Sequence, residues 1–265
     1  MSLRAVSSLK SIPCARPSTP LVLTCEHASN RLPRGCRPRT EAERALLHTH
    51  WAWDIGAWEV ARRLARRLGA AAVGGGVSRL VVDLNRPVVD PSLVRREAGW
   101  VKISWNARLL PLEIERRMHA FHLPYHDAID RAILRLIVRG ARPLLLSVHS
   151  FTPVYEGRRR EFDMGVLFDR SRGHAERLLR GLRREGFEVR ENEPYSGIAG
   201  MMYSIHRHGT HHDLPCLELE MNQALFRQRG AAARLAPKIA RALAPLLALQ
   251  RPGRRTGRAQ TRTGS

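Results

Sequence analysis

No stretch of this sequence approaches the roughly 18 to 20 uninterrupted apolar residues that a helix needs to cross a bilayer, which excludes a helical integral membrane protein. The first twenty residues also lack an apolar core, and this argues against a secretory signal. Cysteine is scarce: Cys14, Cys25, Cys36 and Cys216 show neither CxxC spacing nor the density of a disulfide scaffold. A reducing, cytoplasmic location is therefore expected. Lysine occurs only at Lys10, Lys102 and Lys238, so arginine supplies almost all of the 45 basic residues that outnumber 24 acidic ones and give a formal charge of +21. Aromatic residues make up 6 % of the chain and do not interleave with the arginines, as base-stacking platforms would require.

A basic surplus of this size could serve a nucleic acid or a membrane surface. The arginines are instead dispersed at helical spacing, as in Arg62, Arg63, Arg66 and Arg67 and again in Arg177, Arg180, Arg183 and Arg184. That spacing describes solvated helix faces, and a coding bias toward arginine explains the rest. Neither a nucleic-acid nor a membrane partner is expected.

With 265 residues, 43 % of them hydrophobic and 26 % charged, the chain has the composition of a soluble globular protein. Its core is large enough to need neither disulfide nor structural metal, so a bound metal would be catalytic. Residues 1–18 contain no acidic side chain, and residues 250–265 are basic and nearly devoid of apolar ones, so both are expected to be disordered tails around a single domain over 19–249.

Within that domain, short apolar runs alternate with helical patterns, the mark of an α/β layer fold with a mixed, largely parallel sheet. Strands are expected at Leu21–Thr24, Leu80–Val82, Pro143–Val148, Met164–Phe168, Glu188–Arg190 and Pro215–Met221. Helices are expected over 41–68 (one or two), 111–139 with a kink or break at Pro124, 172–185 and 231–248. Gly74-Gly75-Gly76 lacks the spacing of a phosphate loop and reads as a flexible turn. The histidines at 206, 208, 211 and 212 suggest a loop beside a substrate pocket, and Tyr195-Ser196-Gly197 a loop at its rim.

In open α/β sheets, ligands bind outside the carboxyl ends of the strands. Four runs end in reactive groups: Leu21–Thr24 before Glu26 and His27, Leu80–Val82 before Asp83, Asn85 and Arg86, Leu144–Val148 before His149, and Leu214–Leu219 before Glu220. Two imidazoles, carboxylates and an arginine at one crevice are the parts of a zinc amidohydrolase. Glu218 and Glu220 alternate onto one strand face while Leu217, Leu219 and Met221 make the other apolar, so the glutamates must meet something polar. Arg86, with Asn85 beside it, is suited to hold a carboxylate bidentately.

The segments CEHASN at 25–30, WDIGAW at 53–58, SRLVVDLNRP at 78–87, LLLSVHSFTP at 144–153 and HGTHHDLPCLELEMNQ at 208–223 resemble, in order, the N-formylglutamate amidohydrolase family. That family is similar in fold to zinc carboxypeptidases and to the aspartoacylase group. The resemblance implies a phosphorylase/hydrolase-like three-layer α/β/α sandwich, one zinc ion, and hydrolysis of an N-acyl amino acid, N-formyl-L-glutamate or a near relative, in amino-acid catabolism. It places the first metal-binding histidine at His27 and the second at His149. A carboxypeptidase-like His-x-x-Glu pair is absent, with Asn30 where its glutamate would be; Asp54, in a segment that resembles the family's Asp-Trp or Asp-Ile element, is preferred as third ligand to Glu26, which adjoins His27 and as a neighbouring strand residue would point to the opposite face. Glu220 takes the position of the general base that deprotonates the attacking water, with Glu218 behind it. Asn85 and Arg86 would clamp the substrate α-carboxylate, and Arg79 would stabilise the oxyanion. Two other readings remain open: a zinc carboxypeptidase or amidase acting on cell-wall-type peptides, and a basic nucleic-acid-binding protein on an idle hydrolase scaffold.

Overall fold

The computed structural model describes residues 7–13 and 19–250. The chain runs β1 (Leu9–Ile12), β2 (Leu21–Cys25), α1 (Glu41–Leu46), α2 (Ala57–Leu68), β3 (Ala71–Gly75), β4 (Glu97–Ala98), β5 (Val101–Lys102), α3 (Pro111–Arg117), α4 (Leu123–Ile137) and β6 (Leu144–Phe151). It continues through β7 (Val154–Tyr155), β8 (Arg158–Arg159), β9 (Met164–Leu167), α5 (Arg172–Arg184), β10 (Val189–Glu191), α6 (Tyr203–His211), β11 (Cys216–Asn222) and α7 (Ala231–Leu249). Seven strands form one sheet in the order β1-β3-β2-β6-β11-β9-β10. Its central strands β3, β2, β6 and β11 are parallel, β1 and β9 oppose their inner neighbours, and β10 follows β9.

Helices cover both faces, which makes the expected three-layer α/β/α sandwich. α2 is a helix because Ala57, Val60, Ala61, Leu64 and Ala65 recur at helical spacing, and it stops at Gly69, whose left-handed φ of 61° lets its N–H cap the Ala65 carbonyl. With α5 and α7 it buries Leu21, Leu23, Leu146, Val148, Leu217, Leu219 and Met221 of the sheet. On the opposite face, Ile129, Ile133 and Leu136 of α4 and Ile205 of α6 join Val22, Val73 and Leu145. Pro124 does not break its helix. It sits in the first turn of α4, where a missing N–H is tolerated, and the irregularity is a π-helical turn at Met118–His122 just before it.

Four further expectations are corrected. Leu80–Val82 is buried but is not a strand. Its carbonyls bond to side chains instead of a sheet neighbour: Leu80 O accepts from Asn106 Nδ2 at 2.7 Å and Val81 O from Arg117 Nη1 at 2.9 Å. The strand is Ala71–Gly75, so Gly74 and Gly75 lie in the sheet and only Gly76 begins the turn. Within the segment expected as an N-terminal tail, Leu9–Ile12 pairs antiparallel with β3, while residues 1–6, 14–18 and 251–265 lie outside those described. The histidine-rich tract is the helix α6 and its carboxyl cap, and none of its histidines lines the cavity that His27 and His149 share.

Candidate functional site

Three neighbouring strands carry polar residues in register on one face. The pairing sets Thr24 beside Ser147, Ser147 beside Glu218, and His149 beside Glu220. Period-two alternation drives Leu217, Leu219 and Met221 into the α2/α5/α7 layer and turns Glu218 and Glu220 the other way, which settles what the glutamate face meets. Glu26 and His27 follow the end of β2. Asp54 stands in the turn before α2, held by its own N–H, which donates to the His27 carbonyl at 2.9 Å.

The two imidazoles are pinned from behind. His27 Nε2 lies 2.7 Å from Asp83 Oδ1, and His149 Nε2 lies 2.8 Å from Glu26 Oε2. Both rings therefore present Nδ1 to Asp54, whose Oδ2 is 2.7 Å from the Nδ1 of His149 and 3.5 Å from that of His27. The Nδ1 of His27 is buried without a hydrogen-bond partner. Asp54 thus faces the Nδ1 of both rings, whereas its rival Glu26 meets His149 at Nε2. The Glu26 carboxylate is taken up on the far side of His149, where it also accepts from Tyr125 Oη at 2.8 Å and Ser147 Oγ at 2.6 Å. Burial alone would raise the Glu26 carboxyl, but the bonds from His149, Ser147 and Tyr125 hold it well below the carboxylate range. Asp83 behaves likewise: against the cost of burial, the Arg79 guanidinium at 2.7 Å and His27 keep it ionised.

Two nitrogens and a carboxylate oxygen converge here, one nitrogen buried and orphaned, each ring oriented by a carboxylate behind it. That donor set and its outer support fit a zinc-class cation. Beside it, Glu218 and Glu220 each keep a buried Oε2 without a hydrogen-bond partner, and that of Glu218 lies 3.6 Å from His149 Nε2. Burial pushes Glu218 up to about 8 and Glu220 up to about 7, and the latter is held from rising further by His149, Arg79 and Arg160.

These groups open into a cavity of about 250 Å³. Every site residue expected from the sequence lines it except Glu26: His27, His149, Asp54, Glu220, Arg79, Asn85 and Arg86. Asn85 Oδ1 accepts from the Ser204 N–H at 2.8 Å, which fixes the amide plane. Arg86 Nε and Arg95 Nε are buried with no acceptor. Trp51, Phe151, Tyr155 and Tyr195 wall the cavity, and Arg160 stacks on the last three rings at 5.6, 5.0 and 5.3 Å. Sequence reasoning did not assign Asp83, Arg95 or Arg160. Asp83 had a signal, since it opens the Asp-x-Asn-Arg-Pro segment, whereas nothing in a chain so rich in arginine singles out the other two.

The fold and this centre define an α/β/α protein with a histidine–carboxylate cluster at the carboxyl ends of a parallel sheet. The chain belongs to the N-formylglutamate amidohydrolase family, whose model matches residues 19–227. It is 30 % identical over 170 residues to the N-formylglutamate deformylase of Pseudomonas putida, a match covering 56 % of this chain and 59 % of that one. The deformylase of Pseudomonas aeruginosa is 28 % identical over 170 residues, covering 57 % and 60 %. The match to these curated relatives thus spans about three fifths of their length. Among solved structures, a gene product of Agrobacterium tumefaciens superposes with a TM-score of 0.82 at 31 % identity, covering 91 % of this chain and 96 % of that one. The N-formylglutamate amidohydrolase of Ralstonia eutropha shares the fold, with a TM-score of 0.69 at 20 % identity over 91 % and 97 % of the two chains.

Proposed function

We propose that this protein hydrolyses the amide bond of N-formyl-L-glutamate with a zinc ion held by His27 Nδ1, His149 Nδ1 and Asp54. The observation that carries the reading is the pairing of that donor set with two buried, acceptor-less arginine nitrogens, on Arg86 and Arg95, in one small cavity. Two guanidinium groups lining one cavity suit a ligand with two carboxylates. Zinc, when bound, supplies Lewis-acid polarisation of the amide carbonyl and of water.

The chain's own groups do the rest. Arg86 and Asn85 hold the α-carboxylate and Arg95 receives the side-chain carboxylate. Glu220 takes a proton from the attacking water as the water oxygen bonds to the formyl carbon, then gives it to the amine nitrogen as the C–N bond breaks, releasing formate and glutamate. Arg79 uses Nε and Nη2 on Asp83, at 3.0 and 2.7 Å, so it adds positive charge beside the developing oxyanion from a fixed position. A cavity of about 250 Å³ walled by aromatic rings suits a small acyl amino acid better than a cell-wall peptide.

The test is product release from N-formyl-, N-acetyl- and N-succinyl-L-glutamate and from a glutamyl dipeptide, with protein as purified, chelated and re-supplied with zinc. Formate release that stops on chelation and returns with zinc supports the reading. Turnover of the dipeptide with none of N-formylglutamate overturns the substrate, and activity indifferent to chelation overturns the metal.

A further inference from the structure

Outside the cavity, a second cluster of ligating side chains lies where α4 meets α6. His208 and His212 are one helical turn apart, so they share a face of α6 and its carboxyl cap. Asp130 of α4 reaches between them. Its Oδ1 stands 2.7 Å from His208 Nδ1 and 2.8 Å from His212 Nε2, so both rings converge on one carboxylate oxygen. Among the described residues this is one of three places where three such donor atoms lie within 4.8 Å of one another, and the other two both belong to the centre around His149.

We propose that His208 Nδ1, His212 Nε2 and Asp130 form a second cation site, for a zinc-class ion, separate from the cavity. The donor chemistry is two imidazole nitrogens and a carboxylate, a set suited to zinc and its neighbours and not to calcium or magnesium, which take oxygen ligands. The support behind it repeats that of the first centre. The buried His208 has its other nitrogen, Nε2, 2.9 Å from Nδ1 of the equally buried His126, so the ring is fixed with Nδ1 outward. The Asp130 side chain is 29 % exposed and that of His212 is 9 % exposed, which gives an ion a path in and leaves room for water to complete its coordination. None of the three residues lines the cavity. The site does not depend on the activity proposed above.

Zinc binding by equilibrium dialysis, on the full chain, tests it. His212→Ala should bind one equivalent fewer than wild type, whatever the first centre holds, and Asp130→Asn, which keeps the shape of the side chain, should weaken that equivalent at least tenfold. In a His27→Ala/His149→Ala background, added cobalt(II) should still give a visible ligand-field band, and His212→Ala should abolish it. Circular dichroism verifies that each variant is folded, and should His212→Ala fail to fold, the near-isosteric Asp130→Asn carries the comparison. If His212→Ala and Asp130→Asn bind zinc with wild-type stoichiometry and affinity, the cluster is a hydrogen-bonded triad only and the site is overturned.

Discussion

Glu220 combines three properties that a proton carrier needs: a buried oxygen without a partner, a place on the cavity wall, and a carboxyl raised to about 7 by burial. Glu220→Gln keeps the shape and removes the proton site, so zinc content should stay at the wild-type level while kcat falls by about 10²–10⁴, the usual contribution of a general base. His149→Ala should lose both zinc and activity, and the two variants compared by metal analysis and formate release separate base from ligand. The pH dependence has a definite sign. A base works deprotonated, so kcat/KM should fall as pH drops through the Glu220 value near 7. Arg160 is one of the positive charges that restrain that value, and removing it in Arg160→Ala should raise it, moving the acid limb of the pH–rate profile to higher pH. A limb that stays in place would show that Arg160 serves only to pack the aromatic wall. Arg95→Ala tests the dicarboxylate clamp: KM for N-formylglutamate should rise at least tenfold, while an N-formyl amino acid with a neutral side chain should be nearly unaffected.

The elements that place these groups differ in how openly the sequence declares them. β6 and β11 were legible because their residues are fully buried and apolar on at least one face, and a histidine or glutamate at their carboxyl ends stands out. β3 was not, because Ala71-Ala72-Val73-Gly74-Gly75 has little strand propensity. Its glycines answer a contact that sequence alone does not reveal: a Cβ on Gly75 would lie 2.2 Å from the Glu26 carbonyl oxygen, and one on Gly74 would lie 2.6 Å from the Trp58 ring. The apolar run at 80–82 misled for the converse reason. It is buried as a loop, which is possible only because Asn106 and Arg117, distant in sequence, satisfy its carbonyls. Two predictions follow at this scale. Gly75→Ala must displace backbone next to His27, and it should cost about 1–3 kcal/mol by denaturant unfolding and weaken zinc binding as well. Asn106→Ala leaves the Leu80 and Arg95 carbonyls without the bonds they have at 2.7 and 2.6 Å, and should destabilise by about 1–3 kcal/mol while loosening the loop that carries Asp83, Asn85 and Arg86.

At the scale of the whole molecule, two groups of described arginines that contribute to the charge of +21 stand apart. One group, including Arg66, Arg67, Arg177, Arg180, Arg183 and Arg184, is exposed on α2 and α5, the helical layer behind the sheet and away from the cavity. The other, Arg79, Arg86 and Arg95, lines the cavity itself. A nucleic-acid-binding surface would use the first set and owe nothing to the second. Binding of an anionic small molecule would use the first as a long-range field and the second as the focus of that field inside a low-dielectric cleft. The two cases respond differently to salt. If the field guides a dianionic substrate, kcat/KM for N-formylglutamate should fall several-fold as ionic strength rises from about 0.01 M to about 0.15 M, where the screening length contracts from about 30 Å to about 8 Å. The same titration with an uncharged formyl amide should give a nearly flat line. Charge reversal of Arg180 and Arg184 to glutamate should reduce the slope for N-formylglutamate without altering kcat, because those side chains lie outside the cavity and act only through the approach of the substrate. A slope that survives the reversal would leave Arg180 and Arg184 without a part in substrate capture.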